Sequence, residues 1–356
     1  MGFDDVMRKG LSNWMKEDGP DSDVVLSSRI RLARNLSDLP FSSLMTESNT
    51  EQLMERVQKA IDDENFRQLG EYQLLRLREL APLERKILVE KHLISPRLSD
   101  DYAVAGVILK DDESTNIMIN EEDHLRIQCI APGLQLREAY EQARKIDDTL
   151  EENIAYAFDE KLGYLTSCLT NVGTGLRASV MVHIPALVIT GQIQRLVSAI
   201  QRIGLVVRGY YGEGSESIGN IFQISNQLTL GFSEDEIVEN LQDVIHQIIE
   251  HERDARENLL SYSKIQLEDK VYRSLGILLH ARVISTQETM ERISDVRLGI
   301  DLGMLKGISA NILKELMILT GEGYLQQYAG RELAPEERDG KRACLIRERL
   351  KEYAII

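Results

Sequence analysis

The chain has 356 residues, 43% hydrophobic, 28% charged and 5% aromatic, and its 42 Lys+Arg against 58 Asp+Glu give a formal net charge of −16. This is the composition of a globular protein with chain enough for about two domains, and it excludes collagen-like, disordered and disulfide-scaffold classes. The net negative field argues against direct nucleic-acid binding, and no apolar run reaches the ~20 residues of a bilayer span. In chain order, the N-terminus reads Met1-Gly2-Phe3-Asp4-Asp5, without a basic-then-apolar leader, so a cytoplasmic protein is expected. Strand-like segments, mostly β-branched and bounded by Gly, Asp or Asn, follow at 24–30, 104–109, 116–119, 125–130, 179–184, 205–210 and 221–225. The link Asp111-Asp112-Glu113-Ser114 is too short for a helical crossover, so its strands must be antiparallel. Thr190 precedes an apolar stripe of Ile193, Leu196, Val197 and Ile200. Ser233-x-x-Glu236 is a capping-box pattern before Ile237, Leu241, Val244 and Ile248. Beyond residue 255 the pattern is helical almost throughout.

The predicted fold class is therefore α+β: an antiparallel sheet flanked by helices over 1–255, with 1–20 as an N-terminal extension, then a smaller all-helical domain over 256–356. Apolar stripes on the second domain exceed what so small a unit must bury, and a homodimer is expected. Cys129, Cys168 and Cys344 are an odd number, far apart and without C-x-x-C spacing, so reduced thiols are expected and no zinc site.

P-loop, dinucleotide-binding and zincin signatures are all missing. What stands out is a set of arginines at strand ends and loop entries: Arg29, Arg31, Arg34, Arg126, Arg177 and Arg208. Arg29 and Arg31 alternate with apolar residues, so in a strand they share one face. Either carboxylates pair with them or they await an anion such as phosphate, whose oxygens match the guanidinium fork. The acidic triplet Glu121-Glu122-Asp123 is by itself a solvated turn or a set of ligands, and Cys168 a buried thiol or a reactive one, with Ser167 and Thr170 near enough to hydrogen-bond it.

Four strings in order, S-S-R-I-R-L-A-R-N from Ser27, N-E-E-D-H-L-R-I from Asn120, C-L-T-N-V-G-T-G-L-R-A-S-V from Cys168 and R-G-Y-Y-G-E-G-S-E-S from Arg208, together resemble the phosphagen (guanidino) kinase family. The resemblance implies that family's antiparallel sheet with helices and its reaction, transfer of the γ-phosphoryl of Mg-ATP to a guanidinium nitrogen. It implies that Arg29, Arg31, Arg126, Arg177 and Arg208 cradle the nucleotide phosphates, with His92 by the adenine or ribose. Ser27, Ser28, Ile30, Ala178, Ser179, Val180, Met181, Gly209, Tyr210, Tyr211 and Gly212 complete the implied ATP-binding set. Glu122 and Glu213 would grip the guanidinium, with Cys168 assisting beside it. Mg²⁺ would be held mainly by phosphate oxygens and water, with no protein metal site.

The departures matter too. Family members that act on small guanidino metabolites carry a helical domain before the S-S-R-I-R strand; here that strand starts at Ser27, so the domain is expected to be missing. Leu169 stands where the family commonly has Pro, and Gly214-Ser215 where it has His-Thr. A short front with a helical C-terminal domain is similar to the bacterial protein-arginine kinase branch. That likeness implies substrate proteins with exposed arginines, a stress-gene repressor among them. It further implies a Clp AAA+ unfoldase-protease that takes the marked proteins and a zinc-containing activator. A free-arginine kinase and a non-catalytic phosphoarginine-binding adaptor stay as alternatives. In Arg338-Asp339-Gly340-Lys341-Arg342-Ala343, the residues Arg338, Asp339, Arg342 and Ala343 match a phosphoarginine-binding (allosteric) motif, against a surface salt-bridge cluster. Cys344 beside it is expected to be buried.

Overall fold

Ten strands and ten helices of eight or more residues organise the chain in a computed structural model that describes residues 6–7, 10–209 and 218–353. The strands are β1 (Val25–Arg34), β2 (Tyr72–Arg76), β3 (Gly106–Lys110), β4 (Thr115–Ile119), β5 (Leu125–Pro132), β6 (Phe158–Asp159), β7 (Gly163–Tyr164), β8 (Leu176–His183), β9 (Leu205–Gly209) and β10 (Ile221–Asn226). Eight of them form one sheet, in the order β2-β3-β4-β5-β1-β8-β10-β9, and β6-β7 form a separate hairpin. Every pairing is antiparallel, including β3 with β4 across the Asp111–Ser114 link. The expected antiparallel α+β architecture is present.

The helices are α1 (Glu47–Ile61), α2 (Pro82–Glu90), α3 (Leu136–Glu151), α4 (Ile193–Arg202), α5 (Glu234–Tyr262), α6 (Lys264–His280), α7 (Thr286–Asp301), α8 (Ile312–Leu319), α9 (Glu322–Ala329) and α10 (Pro335–Glu352). On one face of the sheet α3 packs over β1 and β5, and α5 over β8 and β10. Ile30, Leu32, Ala178 and Val180 point into that layer and are fully buried. Ser233 caps α5 with Glu236 in the reciprocal box that the sequence announces. Position 255 lies inside α5, and a single apolar cluster runs from Val24 to Leu350, so α6–α10 share a core with the sheet layer.

Three expectations change. β2 at the sheet edge has no alternating apolar pattern in Tyr72-Gln73-Leu74-Leu75-Arg76; it forms because β3 offers it a full ladder. Thr190 does not start α4, whose N-cap is Gln192; its hydroxyl donates back to Ala186 O at 2.7 Å and ends the preceding helical turn. Cys344 is part-exposed on α10, donating to Glu348, because it lies on the solvent side of a helix whose buried face is Arg342, Ala343, Leu345 and Ile346. Cys129 is fully buried.

Among the described residues the N-terminal segment is a strap. Trp14 and Met15 pack against Ile130 and Ile318, Lys314 Nζ donates to Glu17 O at 2.8 Å, and Arg297 donates to Ser22 O at 2.6 Å. No helix there is long and apolar enough to cross a membrane.

Candidate active site

Strand register assembles the site. On the face opposite α3, Arg31 of β1 lies across from Gln128 of β5 and Arg177 of β8, and Arg29 across from Ser179. Arg126 is opposite Ala33, Met181 opposite Gln223, and Gln223 opposite Arg208. Residues directly opposite share a face, so one surface of five strands carries Arg29, Arg31, Arg126, Arg177 and Arg208. Ser28, Ile30, Ala178 and Val180 have the other parity and face the core. Ser28 Oγ donates to Gly133 O at 2.8 Å and accepts from Gln135 N–H. The side chains of these four residues, named in the ATP-binding set that the resemblance implies, therefore point away from the face that carries the arginines. Gly209 ends β9 and is buried. Tyr210, Tyr211, Gly212 and Glu213 lie outside the described residues.

Like charges directly opposite one another repel. Burial, then Arg126 and Arg177, pushes the Arg29 guanidinium down to about 10, and burial, then Arg29, Arg126 and Arg177, pushes Arg31 well below its ordinary value. Among the described residues neither Arg29 nor Arg31 forms an ion pair. Arg29 reaches only Ser179 Oγ at 3.4 Å, and Arg31 Nε is buried without a partner. Arg34 is the contrast: its guanidinium meets Asp147 at 2.6 Å and Glu234 at 3.4 Å and lies 3.5 Å above the Tyr164 ring. Arg34 is therefore held by carboxylates, as Arg126 is by Glu121 at 2.8 Å, whereas Arg29 and Arg31 have no such pair among the described residues.

Two cavities open over this face. The first, about 450 Å³, is lined by Arg29, Arg31, Arg126, Arg208, His92 and Gln128, with an apolar end at Val89, Ile94, Met118 and Met317. The second, about 470 Å³, is lined by Glu122, Cys168, Thr170, Asn171, Arg177 and Gln227. Arg31, Arg126 and Arg208 line both. Ser27, Ser179 and Met181 border a recess beneath the first, next to Trp14.

The acidic triplet is divided by its turn, where Asn120 adopts a left-handed φ of 57°. Glu121 is buried and accepts from Arg126 at 2.8 Å and Ser95 Oγ at 2.6 Å; burial raises its carboxyl, but Arg126 and these donors hold it below the usual range. Asp123 is buried and accepts from Asn35 Nδ2 and Ser167 N–H, both at 2.6 Å, which ties this turn to the Cys168 segment. Glu122 alone turns outward into the second cavity, where Cys168 Sγ lies 2.9 Å from Thr170 Oγ1. His92 takes a left-handed φ of 59°, its carbonyl accepts from Gln128 Nε2, and burial beside Arg29 pushes its ring down to about 3, so the ring is neutral at pH 7.

The cationic face with a buried, unpartnered Arg31 Nε fits a polyanion, and the apolar end fits a flat base. No group of three or more His, Cys, Asp or Glu is placed to hold a metal among the described residues. The first cavity also has a wall that sequence reasoning missed: Thr286, Met317, Gly321 and Glu322 of the C-terminal helices, with Lys86 and Glu90 of α2. No local motif marks these residues, because packing between distant elements puts them there.

The C-terminal motif lies on α10. Arg342 is 3% exposed and donates to Thr320 O at 3.1 Å and Ile284 O at 2.9 Å, with Asp339 as its ion-pair partner. Arg338 pairs with Glu322, and Ala343 is buried. Both arginines of this string are thus ion-paired, Arg338 part-exposed and Arg342 buried rather than on the surface.

Residues 52–255 match the family model of the ATP:guanido phosphotransferase C-terminal catalytic domain, and residues 264–354 that of the protein-arginine kinase McsB C-terminal domain. A protein-arginine kinase of Geobacillus sp. (strain WCH70) is 57% identical over 99% of this chain and 97% of its own length. The chain belongs to the protein-arginine kinase family. A Bacillus cereus (strain AH187) protein-arginine kinase is 56% identical over 99% of both chains. This kinase also shares its fold with lombricine kinase, at TM-score 0.57 and 24% identity over 70% of this chain and 76% of that one. The duplicated taurocyamine kinase of Schistosoma mansoni matches at TM-score 0.58 and 23% identity, covering 78% of this chain and 43% of that one. The kinase is thus a phosphotransferase on the guanidino-kinase fold.

Proposed function

We propose that this kinase transfers the γ-phosphoryl group of Mg-ATP to arginine side chains of other proteins. The observation that carries this reading is that Arg31, Arg126 and Arg208 line both cavities. A triphosphate lying on the arginines from the first cavity meets a guanidinium presented from the second. Glu122 grips that guanidinium through its N–H groups and aligns one nitrogen with the phosphorus. A guanidinium has a pKa above ~12 and a carboxylate one near ~4, so Glu122 cannot deprotonate it beforehand; the proton leaves as the N–P bond forms. Cys168, held toward Thr170, packs beside the guanidinium and assists without a covalent step. The arginines stabilise the charge of the transferred group by preorganised electrostatics, to which Mg²⁺ adds its own charge when bound.

The acceptor is an arginine on a protein, including stress-gene repressors, and the product marks that protein for a Clp AAA+ unfoldase-protease in the cytoplasm. A zinc-containing activator and a homodimer belong to the same reading. Arg338, Asp339, Arg342 and Ala343 form its allosteric phosphoarginine site, in which the phosphate displaces Asp339 from Arg342. Loss of phosphoarginine binding in Arg342→Ala checks that part.

The test incubates the protein with Mg-ATP and an unstructured arginine-containing protein. Label on the protein that is lost in mild acid and kept in mild base is expected, falling by about 100-fold or more in Glu122→Ala. Phosphorylation of free arginine alone would instead make this a metabolite kinase, and phosphoarginine binding without transfer would make it an adaptor.

A further inference from the structure

Arg31, Arg126 and Arg208 fix the phosphate end of the first cavity, because they also line the second. The part of its wall that the second cavity does not share includes Val89, Ile94 and Met317 and the turn that begins α9. That turn is locked to α2: Glu90 accepts from the N–H groups of Gly323 at 2.7 Å and Tyr324 at 3.1 Å. A side chain at either glycine flanking the turn's one side chain would crowd this lock and push Glu90 aside. A Cβ at Gly321 would stand 2.6 Å from Glu90 Oε2, and one at Gly323 3.0 Å from it. The side chain between them is Glu322, and it lines the cavity.

A carboxylate near a polyphosphate site is unfavourable unless its charge is offset. Glu322 lies between two cations, Lys86 Nζ at 2.6 Å on one oxygen and Arg338 of α10 on the other. Gln326 Nε2 also donates, at 3.5 Å, to the oxygen that Arg338 holds, so of the carboxylate's four or so acceptor positions the spare one is on the oxygen that meets Lys86. A neutralised carboxylate with a spare acceptor position, on a part of the first cavity's wall that the second does not share, suits the hydrogen-bond donors of a nucleoside: the ribose hydroxyls or an exocyclic amino group.

We propose that Glu322, held by Lys86 and Arg338, accepts a hydrogen bond from the nucleoside and is a specificity-determining residue of this kinase. The proposal rests on the nucleotide reading of the first cavity. It makes the C-terminal helical region part of the ATP site, and Arg338 on the last helix a positioning residue for nucleotide affinity.

Field and contact predict opposite signs, which makes the test sharp. Removing a carboxylate lowers the local negative potential and on that ground alone tightens any polyphosphate. Removing an acceptor weakens only ligands that carry the donor. Calorimetry on the full chain with Mg²⁺ would compare ATP, ITP, 2′,3′-dideoxy-ATP and inorganic triphosphate. Glu322→Ala is expected to weaken ATP about tenfold while leaving triphosphate unchanged or tighter. One analogue, ITP without the amino group or dideoxy-ATP without the hydroxyls, is expected to bind both proteins alike, and it identifies the donor. Glu322→Gln, which keeps an acceptor oxygen, is expected to recover part of the loss, and Arg338→Ala to cost ATP about threefold. An equal loss for ATP and triphosphate, or no loss for ATP, overturns the proposal while the nucleotide reading stands. A wild type that binds ATP no better than triphosphate overturns the nucleotide reading of that end and the proposal with it.

Discussion

Arg31 is half-buried with its Nε fully buried, shares its face with Arg29, lies opposite Arg177 and has no ion-pair partner among the described residues, so the unliganded fold carries it at a cost. Such a group is kept for what it binds. Arg31→Met keeps most of the side-chain volume and removes the charge; replacing uncompensated buried charge by apolar atoms is often stabilising by about 1–4 kcal/mol. The unliganded variant is therefore expected to melt at or above the wild-type temperature and to lose the upward shift that Mg-ATP gives the wild type. Scanning fluorimetry with and without nucleotide checks both halves, and a variant that melts lower but still responds to nucleotide would make Arg31 structural. Cys168 belongs at the same scale. Cys168→Ala is expected to lower the phosphorylation rate by about tenfold without abolishing it, since in the proposed mechanism the thiol only touches the acceptor and forms no bond to phosphorus; complete loss in a single-turnover assay would point to a covalent role.

At the scale of elements, one strand separates function from stability by parity. Arg29 and Arg31 of β1 face the cavities, while Arg34, after the strand has left the Arg177 register, ties β1 to Asp147 of α3 and Glu234 at the start of α5. Burial raises the Asp147 carboxyl and Arg34 opposes that, so the pair stands or falls together. Arg34→Ala would strand Asp147 and is expected to cost about 3–5 kcal/mol in urea unfolding, whereas the exposed pair Arg67–Asp62 should be worth under about 1 kcal/mol. Comparable losses in the two variants would refute that distinction. Period-two alternation made the shared face of Arg29 and Arg31 legible in the sequence, and the Ser233–Glu236 box made the start of α5 legible. Local patterns could not show that Glu122 alone of its triplet enters the site, because this depends on a left-handed Asn120 and on donors from Ser95, Asn35 and Ser167, each distant in sequence. They could not show the Gly321–Glu322 wall either, since only the docking of α9 on α2 creates it.

Across the whole molecule, the N-terminal strap, the sheet and the C-terminal helices meet in one buried ionic knot. Arg256 of α5 pairs with Glu252 at 2.8 Å and Asp301 of α7 at 3.6 Å, and Arg297 of α7 pairs with Asp301 at 2.8 Å and donates to Ser22 O. His183, at the end of β8, is fully buried beside this knot, with Nε2 2.8 Å from Ser294 Oγ of α7 and Nδ1 without a partner. Burial, then Arg256 and Arg297, holds its ring well below the ordinary histidine value. The folded state thus refuses a proton that the unfolded chain accepts below about pH 6.5, so the unfolded state binds more protons there and stability rises with pH. The corresponding loss is up to about 1.4 kcal/mol for each pH unit below that point, with nothing changing above it. His92, held to about 3, adds a loss of the same sign over the same window. His183→Gln keeps a group able to hydrogen-bond Ser294 and removes one of the two titrations. Buried carboxylates that act in the opposite sense, such as Glu252 and Asp301, are common to both proteins and cancel in the difference. Urea unfolding between about pH 7.5 and 5 should give a shallower acid loss in the variant, the two curves converging by roughly 1 kcal/mol per pH unit. Parallel curves would mean that His183 is protonated in the fold, and that the ionic knot reorganises to accept a charge at its centre.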